Sequence, residues 1–151
     1  MVDAENYGTF ISMVNKQFAT AVHVMTALTL ENGGAGPISS SRLAESVNTN
    51  PVVIRRLLLL LQKADLVSST KGQNGGVTLK RNASTITLED IYLAVQTCQM
   101  ISGSDRKVKK NCPVSRSMKA VMCGVATGVE DASKKYLRTI YLSDLKKKVM
   151  E

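Results

Sequence analysis

The feature that most constrains this chain is a piece of punctuation, Asn48-Thr49-Asn50-Pro51, set between two short apolar-faced segments. Asn50 is a favoured helix N-cap, and Pro51 suits the first helical position, where its missing N–H costs nothing. The stretch therefore ends one helix and begins another almost at once. Before it, Ser39 stands as an N-cap, with Leu43, Ala44 and Val47 on one apolar face. After it, Val52, Val53, Ile54, Arg55, Arg56 and the leucine run 57–61 carry a helix to about Ala64, and the leucines read as core packing.

The neighbouring segments narrow the choice. Residues 66–70 and then Val77, Thr78 and Leu79 read as two short strands, rich in β-branched and hydroxyl side chains. Between them, Lys71-Gly72-Gln73-Asn74-Gly75-Gly76 is a glycine-rich hairpin tip. Upstream, a helix capped by Asn15 carries Phe18, Ala21, Val22, Met25 and Leu28 at helical spacing, and stops at the breaker run 31–37. Downstream, Thr87 caps a helix through Ile91, Leu93, Ala94 and Val95, with Glu89 and Asp90 suiting its N-terminal dipole.

Residues 99–111 are polar and read as a linker. From Pro113 a long helical pattern brings Met118, Val121, Val125, Ala132 and Tyr136 to one face, while 145–151 reads as a basic tail or a final helical turn. Gly124 and Gly128 weaken that long helix in isolation, yet small residues four apart permit close approach of another helix. The expected fold is mainly α with a small β-hairpin wing: a winged helix-turn-helix plus a long C-terminal helix. The expected division is an extension (1–14), a winged helix-turn-helix (15–97), a linker (98–112) and a helical segment with its tail (113–151).

Charge points to the partner. The chain carries +8, and residues 38–81 hold seven Lys and Arg against two Asp and Glu, so +5 of the excess falls on helix, turn and wing. Nucleic acid is favoured over a membrane surface. The longest apolar run, 57–61, is far below the roughly 20 residues of a bilayer span. Asp3 and Glu5 at the start are unlike a secretory leader. Three cysteines at irregular spacing suit a reducing compartment, so a cytoplasmic location without a membrane partner is expected. The single histidine, His23, lies in an apolar helical stretch and reads as structural; without a glycine-rich phosphate loop or a base–nucleophile pair, no enzyme is expected.

A recognition helix enters the major groove by its first turns. Val52 and Val53 are placed for thymine methyl groups, Arg55 for a guanine edge or a phosphate, and Arg56 for a phosphate. Lys71, Gln73 and Asn74 at the hairpin tip present donors to the backbone or the minor groove. The rival reading is a winged-helix protein-interaction module, which the salt response of binding separates from DNA binding.

At these residues the chain resembles one bacterial family. The stretch Ile38-Ser39-Ser40-Ser41-Arg42-Leu43-Ala44-Glu45, then Val47 through Arg56, Lys63-Ala64-Asp65-Leu66-Val67, Lys71-Gly72 and Ile86-Thr87-Leu88-Glu89-Asp90-Ile91 is similar to the IscR/CymR-like regulators of iron–sulfur cluster assembly and cysteine metabolism. The resemblance implies a homodimeric transcriptional regulator, read as a repressor, on a near-palindromic duplex DNA site. It implies phosphate contacts at Asn15, Lys16, Ser39, Ser40 and Ser41, with Asn50 at the head of the recognition helix. It implies base reading by Val52, Val53 and Arg55, and a minor-groove contact by Lys71. It also implies that the long helix is the dimer interface, through Met118, Val121, Met122, Val125, Val129, Ala132 and Tyr136.

The cysteines depart from the family pattern. Many relatives hold an iron–sulfur cluster on three closely spaced thiols, whereas here Cys98, Cys112 and Cys123 are separated by 13 and 10 residues. Thiolates must converge on one centre to hold a cluster, so no metal and no cofactor is expected, as in the branch without a cluster. Cys98 and Cys112 flank a basic run, Arg106, Lys107, Lys109 and Lys110, that favours a thiolate. A thiol-redox-sensing regulator is therefore an alternative, as is a small-molecule effector; all three thiols as ordinary residues is the reading preferred.

Overall fold

The computed structural model describes residues 16–31, 36–96 and 107–151. Asn15, the breaker run at 32–35, Cys98 and most of the expected linker lie outside the described residues. Six α-helices, one short 3-10 turn (Ala83–Thr85) and one antiparallel hairpin form the described structure.

Helix α1 (Lys16–Glu31) runs through the centre, with Ala21, Val24, Met25 and Leu28 fully buried. Thr26 and Thr29 point inward too, and their hydroxyls donate to the carbonyls of Val22 and Met25 one turn back at 2.8 and 2.9 Å, so burial leaves neither hydroxyl unmet. His23 sits on the exposed side, its Nε2 3.0 Å from Ser46 Oγ. It therefore ties α1 to the next helix, as a structural histidine should.

Helix α2 (Ser40–Val47) starts at Ser39, whose hydroxyl accepts the Arg42 N–H at 3.2 Å, and ends at Asn48 in the left-handed conformation (φ 57°). Asparagine tolerates that region better than most residues. Helix α3 (Pro51–Lys63) comes next, with Asn50 Oδ1 accepting the Val52 N–H at 2.8 Å. Ile54, Leu57, Leu58 and Leu61 face the core. The expectation that the whole leucine run is core is corrected at Leu59, which is 59% exposed because helical rotation carries it opposite that face.

Strands β1 (Val67–Thr70) and β2 (Gly76–Leu79) pair with Val67 opposite Leu79 and Thr70 opposite Gly76. Ile38, just ahead of α2, adds a bridge on the other side of β2 by exchanging both backbone hydrogen bonds with Val77, at 3.0 and 2.8 Å. A side chain at Gly76 would stand 2.6 Å from the Ile38 carbonyl oxygen, so the glycine serves this crossing as well as the hairpin.

Helix α4 (Leu88–Val95) begins in a capping box: the Asp90 N–H donates to Thr87 Oγ1 at 3.1 Å, and the Thr87 N–H to Asp90 Oδ2 at 2.9 Å. Helix α5 (Pro113–Leu137) is 25 residues long and buries only Ala126 and Glu130. The segment read as a basic tail or last turn is instead helix α6 (Leu142–Met150). Leu142 is fully buried in the core and its N–H donates to Ile86 at 2.9 Å, while Leu88 donates to Ile140. The chain thus leaves the core along α5 and returns to it; Leu142, Leu145 and Val149 fall at helical spacing, yet lysines crowd the segment and nothing local shows that it packs back on the core.

Candidate nucleic-acid interface

The Asn50 cap and Pro51 fix the start of α3 and leave its first turn facing outward. Val52 and Val53 are 44% and 49% exposed, and Arg55 and Arg56 are exposed beside them. The buried positions set the orientation: opposite Ile54, Leu57, Leu58 and Leu61, helical spacing lines up Val52, Arg56, Leu59 and Lys63. Arg55 lies to one side of that line and Val53 to the other. Leu59 and Lys63 extend the outward surface beyond the residues expected from the sequence; the signal available was the succession of four-, three- and four-residue steps from Val52 through Arg56 and Leu59 to Lys63.

At the hairpin tip, Lys71, Gln73 and Asn74 are all exposed. The reversal is closed by the Gly75 N–H donating to the Gly72 carbonyl at 3.0 Å, and a side chain at Gly75 would collide with the Thr70 carbonyl oxygen. Ser41 is exposed and Ser40 partly so at the start of α2, and Ser39 carries its cap with the hydroxyl proton still available. Lys16 is exposed at the start of α1.

Six of the seven cations at residues 38–81 fall into two sets. Lys80 Nζ lies 2.6 Å from Asp65 Oδ1, and this hydrogen bond and charge hold the Asp65 carboxyl below its ordinary range. Arg81 donates to the Thr85 carbonyl at 2.7 Å and lies 3.8 Å from Asp90. Those two are engaged in the fold. Arg55, Arg56, Lys63 and Lys71 make no ion pair among the described residues. Of these six, the exposed cations without an ion pair among the described residues are therefore those of α3 and the hairpin tip.

On α5, Val114, Met118, Val121 and Val125 are exposed, as are Ala132 and Tyr136; Met122 and Val129 are partly covered. Val114 extends the expected stripe by one turn. α5 is attached to the rest of its subunit by the buried Ala126 and by Leu137, which packs against the core, and by a set of polar ties. Tyr92 Oη donates to the Glu130 carboxylate, 3.0 Å from each oxygen, and Gln96 Nε2 donates to Oε1 at 2.7 Å. Lys134 is 3.3 Å away. Burial pushes the Glu130 carboxyl up, and the hydrogen bonds from Tyr92, Gln96 and Lys134 outweigh it, so the group titrates below its ordinary value. Farther along, Arg138 grips Glu89 with Nε at 2.5 Å and a second guanidinium nitrogen at 2.7 Å; this hydrogen bonding lowers Glu89 and raises Arg138. The sequence showed neither tie, because the partners are 38 and 49 positions apart.

Cys112 caps α5, its sulfur accepting the Ser115 N–H at 3.5 Å, and Cys123 is exposed on the same helix. Eleven residues of helical rise put them about 16 Å apart, too far to share one metal centre. Among the described residues no group of three His, Cys, Asp or Glu is placed to hold a metal ion, and no helix is long and apolar enough to cross a membrane.

The profile of the Rrf2 family, described as an iron-dependent transcriptional regulator, matches residues 14–148. YwnA of Bacillus subtilis (strain 168), named as a candidate HTH-type transcriptional regulator, is 32% identical over 133 residues, which are 88% of this chain and 96% of YwnA. A solved candidate DNA-binding protein is 32% identical with a TM-score of 0.67, covering 85% of this chain and 97% of its own. IscR of T. potens shares the fold at 24% identity, with a TM-score of 0.66 and coverage of 89% and 86%. Iron dependence describes that family; the two described thiols of this chain do not fit a shared iron centre.

Proposed function

The chain belongs to the Rrf2 family of transcriptional regulators, and on that premise we propose that it is a cytoplasmic homodimeric repressor of a near-palindromic operator. Each subunit lays the start of α3 in the major groove. Val52 and Val53 meet thymine methyl groups, Arg55 reads a guanine edge, and Arg56 neutralises a phosphate. Lys71, Gln73 and Asn74 of the hairpin reach the flanking minor groove, and Lys16 with Ser39, Ser40 and Ser41 seats the backbone. A dimer lying across a promoter excludes polymerase by occupancy alone, so repression is its simplest output.

The observation that carries the DNA reading is the division of cations: Lys80 and Arg81 are engaged inside the fold, while Arg55, Arg56, Lys63 and Lys71 face solvent on the recognition helix and the wing. Dimerisation is supported by the apolar stripe of α5, Val114, Met118, Val121, Val125 and Tyr136, which lies open to solvent. Paired along that stripe, two subunits present two recognition helices related by a two-fold axis, matching a palindrome.

A mobility-shift titration of duplex DNA from upstream of the gene, at two salt concentrations, tests this. Four or more phosphate contacts make log K fall with log salt at a slope of about −0.9 per contact. Salt-insensitive binding, or no duplex binding, would instead assign the fold to a protein partner.

A further inference from the structure

We propose that the polar tie between α4 and α5, centred on Glu130, sets the angle at which α5 leaves the DNA-binding head and so selects the spacing between the two half-sites. This rests on the homodimeric reading and deepens it. Arm and head meet over a short contact. Of the 25 residues of α5 only Ala126 and Glu130 are buried, and the turns from Val114 to Val125 carry their apolar side chains in the open. The arm is thus a lever about 37 Å long held near one end.

Beside the packing of Leu137 against the core at its far end, two polar points fix the direction of the lever where one would let it swivel. The first is Glu130, which receives Tyr92, Gln96 and Lys134. The Tyr92 ring is itself braced edge-on by Phe18, with ring centroids 5.4 Å apart, so its hydroxyl is aimed from the core. The second is the two-pronged grip on Glu89 by Arg138, eight residues beyond Glu130 at the end of α5. These anchors are about 12 Å apart along the helix, and both reach α4 or the residue that ends it. A bidentate guanidinium–carboxylate pair restricts orientation as well as distance. Apolar packing of equal area would hold the arm with comparable stability and less angular definition, since buried charges yield little net stability against apolar groups of the same shape.

The leverage is large enough to matter. Val114 lies about 24 Å along the helix from Glu130, so a swing of roughly 10° moves it about 4 Å, comparable with the 3.4 Å rise of one base pair. Glu130, Tyr92, Arg138 and Glu89 are accordingly positioning residues: they touch no DNA, yet set where the second recognition helix falls.

The test is selection from a randomised duplex library with the full chain, comparing the wild type with Glu130→Gln, Tyr92→Phe and Arg138→Ala. The wild type should return inverted half-sites at one spacing. The variants should return the same half-site sequence spread over several spacings, with several-fold less discrimination between the original spacing and one a base pair longer or shorter. Variants that keep the single wild-type spacing would overturn the proposal. Arg138 is exposed beyond its grip on Glu89, so its variant tests the idea even where a change at Glu130 prevents folding. Should the wild type itself return no paired half-sites, the homodimeric reading fails and the spacing proposal falls with it.

Discussion

In the head, Ile54, Leu57, Leu61 and Leu66 are sealed from solvent, whereas in the arm Val114, Met118, Val121 and Val125 lie on the surface of a helix of similar character. Both regions carry apolar residues at three- and four-residue spacing, and periodicity alone does not distinguish them. What differs is the company. α3 packs on α2, α4 and β1, and α5 touches the rest of its subunit chiefly at α4. One stripe folds the chain; the other stays exposed on its own subunit. The charges invert the pattern. On α3, Arg55 and Arg56 have no ion pair among the described residues, while Glu130 and Arg138 of the arm are both taken up by groups of the head.

The largest effect should separate the two stripes. Leu61→Ala empties a fully buried site and should lower the unfolding free energy by about 2–5 kcal/mol. Val121→Asp, on the arm, should leave the melting of a dilute single subunit nearly unchanged and shift sedimentation from dimer to monomer. Urea melts at low concentration together with sedimentation velocity read both numbers. Equal destabilisation of the dilute subunit by the two changes would erase the distinction between head and arm.

A smaller effect sharpens the head itself. Arg55→Ala should cost about 1–3 kcal/mol of operator binding and relax preference at a single base position. Arg56→Ala, on the outermost line with Val52 and Lys63, should weaken binding more evenly across sequences. Competition with single-base operator variants distinguishes the two patterns, and a uniform loss from Arg55→Ala would move that side chain from base to phosphate.

Much of the head was legible in the sequence because its signals are local. Asn50-Pro51, Thr87 with Asp90, and Gly75-Gly76 each act within three or four residues, and the structure uses them as caps and reversal. The features that were not legible are those made by long-range meetings. Ile38 crosses to Val77 through backbone groups alone, which no side-chain pattern announces. α6 returns to the core on Leu142, with Leu145 partly covered beside it, in a lysine-rich stretch. Glu130 sits among residues of an ordinary helical surface and becomes buried only because Tyr92 and Gln96 come to it. Charge counting likewise weighs every cation of residues 38–81 alike, though Asp65 claims Lys80 and Thr85 holds Arg81.

That last division supplies the smallest measurable difference, between two lysines on either side of the same hairpin. Lys71 at the tip has no ion pair among the described residues, while Lys80 past the second strand is held 2.6 Å from Asp65. If Lys71 meets a phosphate, Lys71→Ala should reduce the magnitude of the salt slope by about 0.9 and weaken all duplexes alike. Lys80→Ala should leave the slope in place, because its charge is already balanced within the fold, and should cost little stability because the pair is exposed. Two substitutions of one residue type, on one hairpin, thus isolate partnering from charge. A Lys80→Ala slope change matching that of Lys71→Ala would show that net charge over the wing, rather than the individual unpaired cation, governs the contact.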